Sequence, residues 1–125
     1  MTGYLLVFLG GGLGAALRHG VNIATARLLG HNFPFGTLTV NVTGSIAMGL
    51  LAGYFALRGD ASQHWRLFLA TGVLGGYTTF SAFSLDVAVL WERHAVWPAV
   101  AYVLASVLLS VGGLFAGLLL YRQLT

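Results

Sequence analysis

Cysteine and lysine are both missing from this chain of 125 residues, and only three residues are acidic. Without cysteine there is neither a disulfide framework nor a thiolate metal site. The four histidines, His19, His31, His64 and His94, fall in separate regions and suggest no metal cluster. Asp60 stands in a polar run, while Asp86 and Glu92 come towards the end of an apolar stretch. Ser84 and Asp86 are two apart and so face different sides of a helix. No nucleophile–base pair emerges, and an enzyme is not expected. The six basic residues are all arginines, spread singly from Arg18 to Arg122. The high pI, near 9.8, therefore reflects no basic stripe, and nucleic acid is not an expected partner. Charged residues make up 7% of the chain, against about a quarter in a typical soluble domain. With 58% hydrophobic residues and a mean hydropathy of +0.86, the solvent this composition suits is lipid.

What is present is four long apolar runs. A membrane helix needs roughly 20 apolar residues, and residues 4–29, 36–57, 65–91 and 95–121 supply them within a single membrane domain covering 1–125. Between the first two, His31-Asn32-Phe33-Pro34 turns the chain, since proline disfavours helix just before it. The polar run 58–64 separates the second and third spans, and Glu92-Arg93-His94 the third and fourth. The N-terminus shows no basic leader and no small-residue cleavage site, so the first span reads as retained. Arg58, Arg66 and Arg122 belong to one side of the bundle, Arg27 and Arg93 to the other. That is almost no positive-inside bias, which opens the way to insertion in both orientations and an antiparallel homodimer.

The third span is longer than a straight crossing requires, and its middle reads Gly75-Gly76-Tyr77-Thr78-Thr79-Phe80-Ser81. Adjacent glycines followed by β-branched threonines weaken a helix. A break at membrane depth is tolerated where it is buried in protein or lines a wet cavity, and its freed carbonyls suit a cation. The alternative is an unbroken helix packed closely through Gly75 and Gly76.

Polar side chains inside the spans are few. Arg18, well inside span one, either snorkels to headgroups or lines the vestibule of an anion path, with no acid in that span to neutralise it. Thr37, Asn41 and Ser45 share one face of span two at i, i+4 and i+8. Asn41 either bonds a neighbouring helix or offers its NH₂ to an anion. Tyr102, Ser106 and Ser110 repeat that spacing on span four, as a hydroxyl track or as packing surface. Phe80 and Phe83, three apart, are either apolar surface or a pair whose positive ring edges receive an anion without a trapping charge. The small-residue pairs Gly10/Gly14, Gly49/Gly53 and Gly113/Gly117 read as helix packing.

Three ordered segments resemble the fluoride channel family known as Fluc or CrcB. They are Gly11-Gly12-Leu13-Gly14-Ala15-Ala16-Leu17-Arg18, Gly36-Thr37-Leu38-Thr39-Val40-Asn41-Val42-Thr43-Gly44 and Gly75-Gly76-Tyr77-Thr78-Thr79-Phe80-Ser81-Ala82-Phe83-Ser84. The resemblance implies an all-α membrane protein of four helices, the third broken, assembled as an antiparallel dual-topology homodimer in the bacterial inner membrane. It implies passive, selective export of fluoride through two pores, each lined by both subunits, as protection from fluoride toxicity. By resemblance, Asn41, Phe80, Phe83, Tyr102, Ser106 and Ser110 line the pore and Arg18 its vestibule. The carbonyls of Gly75 and Thr78 from both subunits would hold a structural sodium ion. Two positions depart from the family pattern: Ala82 stands where threonine is common, and His19 where an aromatic is common. A proton-coupled drug antiporter of similar size would need a carboxylate in its first span, where this chain has none, and Asp86 near a span end is its nearest substitute. A non-transporting membrane scaffold would use every polar residue for packing.

Overall fold

The computed structural model describes residues 1–57 and 63–124, so the polar run 58–62, with Arg58 and Asp60, lies outside the described residues, as does Thr125. Every regular element described is helical. Helix α1 spans Thr2–Leu29 and α2 Phe35–Leu57. Next comes α3, residues 63–77, which joins an α turn at Gln63–Arg66, a π-helical stretch at Leu67–Leu74 and a closing α turn at Gly75–Tyr77. Helix α4 is Phe80–Glu92 and α5 is Val96–Leu124. By length and composition, four helices can cross a membrane: Thr2–Leu29, Phe35–Ala56, Gln63–Glu92 and Val96–Leu124.

Local chemistry sets the turns. Helix α1 stops at Gly30, whose φ of 83° is the left-handed conformation that glycine accepts without a Cβ clash. Its N–H still reaches Ala26 O at 3.0 Å. Pro34 then sits just before α2. At the end of α4, His94 takes a left-handed φ of 60°. The His94 N–H bonds Trp91 O at 3.0 Å and the Ala95 N–H bonds Leu90 O at 2.9 Å, satisfying carbonyls the helix end leaves open. This closure turns the chain straight into α5, whose first turn carries Pro98, where a missing N–H costs nothing.

Glycines decide which helices meet. A Cβ on Gly10 would run into Gly72 Cα at 3.0 Å, one on Gly14 into the Val73 carbonyl, and one on Gly76 into the Gly11 backbone, so α1 and α3 touch backbone to backbone. On the other side, a Cβ on Gly49 would strike the Leu114 carbonyl, and one on Gly117 the Ile46 carbonyl, which joins α2 to α5. The spacings predicted for packing thus mark the closest helix approaches. Gly75 behaves differently: only Ala70 O, at 3.7 Å, lies near its missing Cβ. Residues Thr78 and Thr79 are extended, at φ −84°, ψ 157° and φ −153°, ψ 121°. Beyond them the chain changes neighbours: α3 packs on α1, whereas α4 packs on α5.

The interior is small. Val40 and Tyr102 are fully buried, and Phe83, Leu90, Ala99 and Tyr102 form one cluster. Outward faces carry Phe8, Leu13 and Leu17 on α1, and Leu104, Leu108 and Phe115 on α5, all exposed, as lipid contact requires. Gly49→Val should force α2 from α5 and cost on the order of 1–3 kcal/mol or more. Thermal melting in detergent by circular dichroism tests this against Gly112→Ala, where nothing lies within 4 Å of the missing Cβ; an unchanged melt for Gly49→Val would contradict the packing assignment.

Candidate functional site

The extended pair is held by one side chain. The Thr79 N–H donates to Asn41 Oδ1 at 2.8 Å, and Asn41 Nδ2 donates back to Thr79 O at 3.0 Å. Asn41 therefore replaces, with an amide of matching shape, the helical partners that Thr79 lacks. The Thr79 Oγ1 accepts the Ala82 N–H at 3.1 Å and caps the start of α4. Before it, the N–H and Oγ1 of Thr78 both donate to Leu74 O at 3.0 Å.

These bonds have a consequence for the carbonyls. In a continuous helix the Thr79 N–H would bond Gly75 O, and the Ala82 N–H would bond Thr78 O. Both donors are diverted, to Asn41 and to Thr79 Oγ1. Gly75 and Thr78 are thus left with carbonyls relieved of their helical donors. Among the described residues, no three His, Asp or Glu side chains gather where they could hold a metal.

Two recesses flank this region. One, of about 390 Å³, is lined by Asn41, Ser45, Phe80, Phe83, Ser106 and Ser110, with Met48, Val107, Val111 and Leu114 as apolar wall. Phe80 is 76% exposed while Phe83 is 9% exposed, and their rings lie 5.3 Å apart at 48°. The Ser106 Oγ is buried against this recess and has no hydrogen-bond partner among the described residues. That is uncommon, since Ser84 and Thr43 on neighbouring helices satisfy theirs on the carbonyl four residues back. A buried hydroxyl left open costs about 1–3 kcal/mol, so the site favours an occupant that accepts a hydrogen bond.

The second recess, about 340 Å³, opens between the end of α1, the 30–34 turn and α4. Its polar lining includes Asn22, Thr25, His31, Thr37, Asp86 and Arg93. The two recesses are linked through Phe83, which lines the first, and Tyr102, which bonds Asp86 of the second, with ring centroids 5.2 Å apart. Tyr102 also receives the edge of Phe33, at 5.5 Å and 85°. Its hydroxyl donates to Asp86 Oδ2 at 2.9 Å.

The structure thus brings Asn41, Phe80, Phe83, Ser106 and Ser110 to one recess. Tyr102 does not line that recess; its hydroxyl bonds Asp86, which lines the other. Arg18 lines neither recess of its own chain. Asp86, read from sequence as near a span end, lies within the last two turns of that span, part-buried in α4 and bonded to Tyr102. Sequence reasoning weighed it only as the carboxylate of a rival antiporter, although Phe80, Phe83 and Asp86 recur every three residues and so track one helical face. Thr79 was also missed, because its role comes from backbone groups that no side-chain pattern records. Ser45 was seen only as part of a polar face, and it joins Asn41 on the recess wall.

Four apolar helices, long enough to cross a membrane, with a side-chain-braced extended pair between two recesses, one mainly apolar and one mainly polar, define a multi-pass membrane protein. The sequence matches the family described as CrcB-like protein, Camphor Resistance (CrcB), over residues 5–118. The chain belongs to that family. It is 64% identical over 122 residues, 98% of each chain, to a protein of Nitrobacter hamburgensis named fluoride-specific ion channel FluC 2. To a fluoride-specific ion channel FluC of Rhodopseudomonas palustris it is also 64% identical over 122 residues and 98% of each chain. With one from Beijerinckia indica it shares 58% over 127 residues, the full length of both.

Proposed function

We propose that this protein is a fluoride-selective passive channel of the bacterial inner membrane, exporting cytoplasmic fluoride down its gradient. The observation that carries this is the recess where Asn41, Phe80, Phe83, Ser106 and Ser110 converge, with one buried hydroxyl unpartnered among the described residues, in a chain whose relatives bear the name fluoride-specific ion channel. Fluoride is small and strongly hydrated, so a path must replace water with donors while holding the ion weakly enough to release it. The Ser106 and Ser110 hydroxyls and the second N–H of Asn41 supply such donors. The ring edges of Phe80 and Phe83 add positive potential without a charge. From there the ion passes the Phe83–Tyr102 neck towards the Asp86 recess. Chloride, larger and a poorer hydrogen-bond acceptor, is rejected by the narrow neck and weak compensation.

The working unit in this proposal is an antiparallel, dual-topology homodimer with two pores. Three observations support it. Phe80 leaves three quarters of its surface open, Arg18 reaches neither recess of its own chain, and the arginines give little orientation bias. A second copy would cover the first and bring its own Arg18 to the vestibule. Paired copies would also bring the relieved carbonyls of Gly75 and Thr78 together, and two carbonyls from each chain suit a structural sodium ion. Bound there, sodium would supply fixed positive charge at the centre of the assembly and tie the two chains together.

The experiment is efflux from liposomes holding the purified protein, read with fluoride and chloride electrodes. Fast fluoride release without chloride release is expected, and it should proceed with no imposed proton gradient. Absence of fluoride release from folded protein would overturn the proposal; proton movement driven by a hydrophobic cation would favour an antiporter built on Asp86.

A further inference from the structure

We propose that Arg93 is the cationic collar of the Asp86 recess and speeds capture of fluoride from that end; the inference rests on the fluoride-channel reading above. The titratable side chains lining this recess are His31, Asp86 and Arg93. Asp86 lies deep, accepting the Tyr102 hydroxyl at the neck. A carboxylate there opposes the approach of an anion. Arg93 caps the C-terminus of the same helix, seven residues further on. Seven residues are two turns, so Arg93 stands on the same face about 10 Å further along the helix, and it is exposed where Asp86 is part-buried.

Nothing described competes for its charge. The Arg93 side chain forms no ion pair or hydrogen bond with another described residue, although Glu92 is its chain neighbour. An arginine at a helix C-terminus complements the helix dipole, and that alone would explain its presence. The recess adds what a helix end lacks: a concave wall of low dielectric, lined by Phe33, Phe35, Val89 and Leu90, which focuses the field of a charge at its rim. Arg27 supplies the comparison. It lies in the last turn of α1 near the same end of the molecule, but it does not line the recess.

Long-range attraction by a rim charge depends on salt. The screening length is about 30 Å at 0.01 M and about 3 Å at 1 M ionic strength. Arg93 should therefore matter in dilute solution and become irrelevant in concentrated salt. Wild type, Arg93→Gln, Arg93→Lys and Arg27→Gln are compared for fluoride efflux from liposomes at subsaturating fluoride, with ionic strength set by an impermeant organic salt. Arg93→Gln is expected to run several-fold slower than wild type in dilute salt, with the gap closing in concentrated salt. Arg93→Lys, which keeps the charge but not the guanidinium, should match wild type. Arg27→Gln should also match it.

Equal rates for Arg93→Gln and wild type in dilute salt would overturn the proposal. So would an equal loss in Arg27→Gln, which would assign the effect to general surface charge. A loss in Arg93→Gln that salt does not remove would point to a structural cap instead. Wild-type protein releasing no fluoride would refute the channel reading itself, separately from the collar.

Discussion

Asn41→Ala is expected to lower fluoride efflux by at least about a hundredfold, equivalent to losing between one and two good hydrogen bonds at about 1–3 kcal/mol each. The side chain makes two bonds to Thr79, one accepted at 2.8 Å and one donated at 3.0 Å. Alanine leaves the N–H and C=O of Thr79 unpartnered where lipid and apolar side chains offer no replacement. The extended pair would then refold towards helix or collapse onto α2, and the Phe80 ring would move with it. The same variant should melt at lower temperature. Asn41→Asp separates the two roles. Its carboxylate can still accept the Thr79 N–H, so stability should partly recover, but it offers no donor and places a negative charge in the path. Efflux should stay low. If Asn41→Ala melted like wild type and conducted like wild type, the bracing role would be refuted.

Phe80→Ile should reduce fluoride efflux by about tenfold or more, with little change in melting temperature. Phe80 is largely exposed on the recess wall and touches Phe83 at 5.3 Å, so isoleucine keeps most of its apolar volume while removing the positive ring edge. Phe83→Ile differs in kind. Phe83 is 9% exposed and also stacks on Tyr102, and its loss should lower both efflux and stability, since large core truncations routinely cost kilocalories. The contrast is read from paired efflux and melting measurements. Wild-type efflux from Phe80→Ile would remove the ring from the fluoride path.

Much of this architecture can be read from residue order. The four apolar runs mark the helices because charge is so scarce that each polar interruption stands out. Glycine pairs four apart mark the contacts, since only backbone can fill the space that Gly14 and Gly49 leave. The extended pair is harder to locate. Gly75 and Gly76 look like the weak point, yet both are helical, and Gly76 is there to admit the Gly11 backbone. Conformation departs from helix at Thr78 and Thr79, because a side chain on another helix, Asn41, meets Thr79 there. Helix propensity is a local quantity, and it carries no record of a partner 38 residues away. The same holds for Tyr102. Its spacing with Ser106 and Ser110 groups the three hydroxyls on one face, but Asp86 from α4 takes the Tyr102 hydroxyl for itself.

The extended pair bears on whether such a path can shut. Thr79 forgoes its helical partners and recovers both bonds from Asn41, while its hydroxyl receives the next amide. The backbone φ values there are ordinary for non-glycine residues. Straightening the segment would exchange bonds of similar strength and release little energy, so no spring is wound at this point. With no strain held there, the segment itself supplies no push towards a second form.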